Sequence, residues 1–439
     1  MFKKNKTQYE KNAWRLVILC WLAYATVYIG KKTLSVNLTD MMADGVCDST
    51  TGGTIGSAFL ACYAIGQFIS GWVGEKIRPS IMVSAGLFCA GALNILMSLG
   101  TSPVYFIIVW GACGLACSML WPPIIRAVSA WTTEEIGQAA GASLSVTIPV
   151  GTIICYTICG VTLNPAFSVG ISGWRMSFIV CGAILYVAAV IYAFGFGTLK
   201  EHMNPSSGET AAVSEKSASS PVHNTAVKLL CAGLVLSAIC ILFNGMIKDG
   251  LDLWIPTILD EKFIGDPSVV STICTILPIL NIVGVYWAKH MFSKYRWTEL
   301  GTCTLMFAIS ACALSLVLIM IRFAKVGILS GIFATLLLAM SSAAMLGANS
   351  MLLTFIPLHF GKIGRASAVT GMLNCFSYAA AAVSGVAVGL VSQYASWEVV
   401  ILVFVGAAIL GGVFAHIGKS HLAKKIREVE EVSSAVSHE

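Results

Sequence analysis

Residues 23–32 read Ala23-Tyr24-Ala25-Thr26-Val27-Tyr28-Ile29-Gly30-Lys31-Lys32. They close an apolar run that begins at Trp14, about 25 Å of helix at 1.5 Å per residue. A cation inside a bilayer costs about 2.5–3.5 kcal/mol at a helix centre, so a lysine placed there is a functional candidate. A second stretch, Phe243-Asn244-Gly245-Met246-Ile247-Lys248-Asp249-Gly250, puts Lys248 in the matching place, 217 positions after Lys31. Two lysines at equivalent positions point to one central site that attracts an anion.

Working outward, the whole chain has the composition of a membrane protein. It is 57% hydrophobic and 11% charged, with a mean hydropathy of +0.83, against about 25% charged in soluble domains. At about 20 apolar residues per span, 439 residues hold a dozen helices. The pattern places spans at 14–42, 52–74, 80–99, 103–128, 136–160, 173–196, 227–250, 267–289, 298–321, 325–354, 365–393 and 397–418. The expected fold is an all-α membrane protein of two pseudo-symmetric six-helix bundles, 1–196 and 227–418. Between them, 197–226 reads as a flexible cytoplasmic linker, because Ser, Pro and charge there cannot bury a core. Residues 419–439 read as a cytoplasmic tail.

Lys3, Lys4, Lys6, Lys11 and Arg15 precede the first run as in a signal peptide. No small-residue cleavage site follows, and the run reads as a retained first span. Cations gather on one side: this head, Lys419, Lys424, Lys425 and Arg427 of the tail, and Lys76, Arg78, Arg126, Lys289, Lys294, Arg296, Lys362 and Arg365 of the loops. The first opposite loop has Asp40, Asp44 and Asp48, and only Arg322 and Lys325 break the rule. Both termini are therefore expected in the cytoplasm, in a cell (inner) membrane.

The halves repeat. Glu135-Ile136-Gly137-Gln138-Ala139 returns as Lys362-Ile363-Gly364-Arg365-Ala366, 227 positions on, and Ser172-Gly173-Trp174-Arg175 as Ala395-Ser396-Trp397-Glu398, 223 on. Parallel six-helix repeats place a substrate site near the membrane midplane.

Tyr24, Tyr28 and Lys31 share one helical face, either an anion-binding face of phenols and an ammonium or a lysine that snorkels to the outer surface. Lys248 either joins that site or pairs locally with Asp249 or Asp252. Gly71, Glu75, Lys76 and Arg78 join the second and third spans, as a conformational switch or a topogenic loop. Asn374 and Tyr378, one turn apart, line a cavity or glue helices. Thr147 lines the site or bonds its own backbone, and Pro149 and Gly151 allow a bend. The fifteen cysteines are scattered. Cys113/Cys117 and Cys155/Cys159 have i, i+4 spacing but no accompanying histidine or carboxylate, so they read as small buried hydrophobes, with no metal or disulfide framework expected. No phosphate loop, HExxH or acid cluster is found, and neither an enzyme, a cofactor nor a nucleic-acid partner is expected.

At these residues the chain resembles the organophosphate:phosphate antiporters of the major facilitator superfamily. Ala23 to Lys32 looks like that family's first-helix motif, and Tyr63-Ala64-Ile65-Gly66-Gln67-Phe68 through Glu75-Lys76 resembles its second helix and loop. Trp121-Pro122-Pro123 with Arg126, Trp174-Arg175, and Lys248 to Trp254 are similar to its fourth, sixth and seventh segments. The resemblance implies a monomeric alternating-access carrier that exchanges a small organophosphate for phosphate. Its phosphate-binding residues would be Lys31 and Lys248, with Tyr24, Tyr28 and Tyr378 in the cavity. Both phosphate positions hold Lys where bacterial members have Arg, and a lysine cannot grip phosphate bidentately. Thr147 stands where one branch has His, and Gln67 where it has Lys. Another phosphorylated or carboxylated anion stays open, as do a transporter-like sensor and a general efflux carrier.

Overall fold

A computed structural model describes residues 8–47, 49–163, 170–202, 234–251, 254–264, 273, 277–295, 297–363, 365–394 and 396–436. Most of the expected linker, Asp48, Asp252 and Arg296 lie outside these. Most of the described residues are helical. Eleven helices among them are long and apolar enough to cross a membrane.

The first half contains α1 (Gln8–Ala43), α2 (Ser49–Lys76), α3 (Pro79–Leu99), α4 (Pro103–Ser118), α5 (Trp121–Trp131), α6 (Glu134–Ser145), α7 (Thr147–Thr162) and α8 (Gly173–His202). The fourth and fifth expected spans are each broken in two, for legible reasons. Pro122 and Pro123 have no amide to donate and are tolerated only in a helix's first turn, so a new helix begins at Trp121. Pro149 likewise leaves the Ser145 carbonyl without its helical donor, and the break falls at Val146.

The second half contains α9 (Leu234–Leu251), whose last turn, Met246–Leu251, is π-helical. Then come α10 (Ile255–Leu259), α11 (Leu277–Tyr295), α12 (Glu299–Phe323) and α13 (Ile328–Ser350), which continues through irregular turns to Ile363. α14 (Ala366–Tyr394) and α15 (Trp397–Val436) complete it. α11 occupies the described part of the eighth expected span. α15 does not stop at 418: good helix formers and no further Gly or Pro beyond Gly418 carry it through the expected tail to Val436.

By packing, the chain forms two compact units, Met1–Glu215 with Pro357–Cys375, and Lys216–Ile356 with Phe376–Glu439. α14 thus contributes its first third to one unit and the rest to the other. In the first unit α3 packs on α8, α2 on α4, and α1 on α7 and α8. In the second α12 packs on α15 and α11 on α13, the same scheme. One tie is repeated too. The Trp174 indole donates to Asp44 Oδ2 at 2.7 Å, and the Trp397 indole to Glu261 Oε2 at 2.7 Å. The tryptophans are 223 apart and the acids 217, the offsets already read in the sequence.

Small residues set the helix spacing. A Cβ on Gly182 of α8 would come 2.7 Å from the Gly91 carbonyl oxygen of α3 and 2.7 Å from Ile95 Cγ1. Backbone is therefore in contact with backbone, as small residues permit in membranes. Gly182→Leu is expected to destabilise the folded protein by about 1–3 kcal/mol or more. Gly197→Leu, on the same helix but with nothing within 4 Å, is expected to unfold at the parent temperature. Thermal unfolding of the two purified variants in detergent checks this contrast.

Candidate functional site

In the first unit the site is built on α1. Tyr24 and Tyr28 are buried, at 4% and 5% exposure, and their rings meet edge to face with centroids 5.4 Å apart. Lys31 follows on the same face. Its ammonium atom is buried, so the snorkelling alternative does not describe this side chain. Nζ sits 3.8 Å from the ring centroid of Tyr63, 4.7 Å from Tyr28 and 5.9 Å from Phe59. Three aromatic faces thus surround one cation, an arrangement in which ring quadrupoles partly replace water. Tyr63 and Phe59 come from α2 and stack at 5.9 Å. Phe59 in turn rests on Trp110 at 5.2 Å. Trp121, the first residue of α5, lies 4.4 Å from Tyr24. Its indole N–H is buried with no hydrogen-bond partner among the described residues.

In the second unit Lys248 sits inside the π turn of α9. Turns of this kind place a side chain off the regular helical face and recur at functional sites. Gly245 and Gly250 flank it against Ser377 and Ser384 of α14. Nζ bonds both carboxylate oxygens of Asp249, at 2.7 and 2.6 Å, and lies 5.8 Å from the Tyr378 ring. The local pair with Asp249 is therefore formed. The lysine side chain is 12% exposed and the aspartate 32%.

A third cluster lies in the first unit along α2 and the start of α14. Gln67 Oε1 accepts from Asn374 Nδ2 at 3.1 Å. One turn on, Gly71 touches Gly371, backbone to backbone. One turn further, Glu75 pairs with Arg365 at 2.7 Å and accepts the Ala368 amide at 3.3 Å. The carboxylate thus caps the N-terminus of α14, where the helix dipole favours an anion. Arg126 of α5 donates to the Gly74 and Ile77 carbonyls at 2.6 and 3.1 Å and closes the end of α2. Lys76 and Arg78 are exposed.

The structure brings Tyr24, Tyr28 and Lys31 together in one unit, and Lys248 and Tyr378 in the other. Asn374 spends its amide on Gln67 rather than beside Tyr378. Thr147 is buried and donates to the Leu144 carbonyl at 2.5 Å, the local backbone bond. Sequence reasoning missed Tyr63, Phe59 and Trp121 as neighbours of the Lys31 face, and Arg365 as the partner of Glu75.

The family model Major Facilitator Superfamily matches residues 20–382. A "Probable hexose phosphate transport protein" of Chlamydia trachomatis serovar D is 25% identical over 186 residues, 42% of this chain and 40% of the relative. The chain therefore spans well under half of that relative's length. The glucose-6-phosphate exchanger SLC37A2 of Danio rerio is 25% identical over 92% of both chains. Among solved structures, a proton:xylose symporter bound to 6-bromo-6-deoxy-D-glucose superposes with a TM-score of 0.69 at 13% identity, over 92% of this chain and 95% of that one. The last likeness concerns the fold alone.

Proposed function

The chain belongs to the Major Facilitator Superfamily, and from that premise we propose that it is a secondary carrier exchanging a small organophosphate for inorganic phosphate by alternating access. The observation that carries this reading is the buried Lys31 ammonium among Tyr28, Tyr63 and Phe59. A cation buried among these rings at low dielectric gains from the stronger charge-assisted bonds that a phosphate offers. Tyr24, Tyr28 and the Trp121 indole add neutral donors around it. Lys248 supplies a second positive charge, and its bond to Asp249 is the contact a substrate would compete with; Tyr378 lies beside it. Relatives bearing the names of hexose phosphate and glucose-6-phosphate transporters support the substrate class.

Under this proposal the six-helix halves 1–196 and 227–418 rock about the substrate, the linker 197–226 and tail 419–439 lie in the cytoplasm with both termini, and the protein works as a monomer in a cell membrane. Gly71, Glu75, Lys76 and Arg78 form the switch loop, and Asn374 and Thr147 hold helices in place. The chain acts as a carrier, not an enzyme.

Ligand-induced thermal stabilisation of the purified protein tests the substrate class. Phosphate, glycerol 3-phosphate and glucose 6-phosphate are expected to raise the unfolding temperature in proportion to RT ln(1 + [L]/Kd), while xylose and lipophilic cations leave it unchanged. Stabilisation by lipophilic cations alone would instead assign an efflux carrier.

A further inference from the structure

Sequence spacing pairs Cys155 with Cys159 on α7; the fold adds Cys181 of α8. The three sulfur atoms lie within 4.8 Å of one another, and all three residues are 0% exposed. The Cys155 and Cys159 sulfurs are 3.9 Å apart. With the other two separations between that value and 4.8 Å, the point equidistant from the three sulfurs lies about 2.3–2.6 Å from each, close to the length of a metal–thiolate bond. Around the sulfurs stand the apolar side chains of Ile29, Val36, Ile158, Leu163 and Ile184, with the Ser177 hydroxyl bonded to Cys159 and the Thr33 hydroxyl to Cys181.

A polar group also serves the cluster. Asn37 of α1 is 0% exposed, donates to the Thr33 carbonyl at 2.7 Å and approaches Cys159 Sγ at 3.5 Å through the same nitrogen. Its Oδ1 has no hydrogen-bond partner among the described residues. A fully buried amide aimed at a thiol is costly as packing. As a hydrogen-bond donor to a metal-bound thiolate it has a purpose.

We propose that Cys155, Cys159 and Cys181 form a binding site for a soft, three-coordinate metal ion of the monovalent copper class. The donor set decides the class. Three sulfur donors select soft ions over magnesium, calcium or manganese. Structural zinc takes four ligands in a tetrahedron, and iron–sulfur clusters take four cysteines; this site offers three sulfurs. Coordination is ligand exchange without redox change: Cu(I) enters as the cation, each ligating thiol loses its proton to water, and copper stays monovalent. The bound ion would tie α7 to α8 on the side of α1 opposite Lys31, reinforcing the Thr162–Ser177 hydroxyl bond at 2.6 Å between the same two helices.

The test is an anaerobic titration of the purified full-length protein with Cu(I) against a bicinchoninate competitor. The wild type is expected to hold one equivalent more than the Cys155→Ser/Cys159→Ser/Cys181→Ser variant. X-ray absorption should show three sulfur neighbours at about 2.3 Å. Equal copper in both proteins overturns the proposal, as does tighter binding of Zn(II) than of Cu(I). Should the triple variant fail to fold, alkylation of the wild type during denaturant-induced opening, mapped by mass spectrometry, gives the same answer. Cu(I) is expected to slow modification of Cys155, Cys159 and Cys181 together while leaving the exposed Cys89 and Cys312 reactive. Unaltered alkylation of the three overturns it.

Discussion

Lys31→Ala is expected to lower phosphate exchange roughly 30- to 5,000-fold, the span of 2–5 kcal/mol seen when one member of a desolvated charge pair is removed. The position of the ammonium sets the size of the effect. It is buried among the rings of Tyr63, Tyr28 and Phe59, so no bulk water takes its place beside an incoming phosphate. The lost interaction is therefore felt at low dielectric. The substitution also removes a buried cation, which by itself relieves a desolvation cost. Folded yield should accordingly hold, and the defect should appear in exchange alone. Lys31→Arg keeps the charge, but a planar guanidinium is too broad for a space fitted to an ammonium 3.8 Å from the Tyr63 centroid. An intermediate rate is expected. Lys32→Ala, one step round the helix, should stay within a few-fold of wild type. Initial rates in reconstituted liposomes, normalised to folded protein, check all three. A Lys31→Ala rate equal to wild type would remove Lys31 from the substrate path.

The second large effect concerns Glu75. Its side chain is 9% exposed and that of Arg365 is 41%. The Coulombic gain from the arginine is therefore partly screened, and the Ala368 amide and the dipole of α14 add a contribution that needs a carboxylate at this position. Glu75→Gln should weaken the α2–α14 seam by about 1–2 kcal/mol. Opening of the seam then becomes roughly 5- to 30-fold more frequent. A cysteine at position 367 reports this directly, because Ser367 is buried against Gly74. Its labelling by a hydrophilic maleimide should accelerate by the same factor. The reversed pair, Glu75→Arg with Arg365→Glu, should restore little. An arginine next to a helix N-terminus meets the wrong end of the dipole and cannot accept the Ala368 amide. Full restoration would show that the ion pair, and not the cap, holds the seam.

Much of this was legible in the residues, and the failures have a common cause. A lysine at the end of a long apolar run is visible because charge there is expensive. Tyr24 and Tyr28 follow because i, i+4 and i+3 spacing fixes a face within one helix. Tyr63 and Phe59 escaped because they come from another helix, and an aromatic in an apolar span has no periodicity that marks its neighbour. Glu75 was visible as a charge at an inner helix end, but its partner Arg365 is 290 positions away. Cys181 was missed beside Cys155 and Cys159 for the same reason. The break at Val146 was foreshadowed by Pro149, since a missing amide has a local consequence. The π turn around Lys248 had only its flanking glycines as a signal, and those favour a close helix approach as much as a bend. Asn374 could be read only as lining a cavity or gluing helices, and its partner, Gln67, came only with the packing of α2.

Exchange is measured by reconstituting the protein into phosphate-loaded liposomes and following uptake of labelled phosphate. The account predicts rapid uptake that requires internal phosphate and is inhibited by external glycerol 3-phosphate or glucose 6-phosphate. Folded protein that takes up no label under those conditions would contradict it, and would leave a sensor or a carrier of another anion in its place.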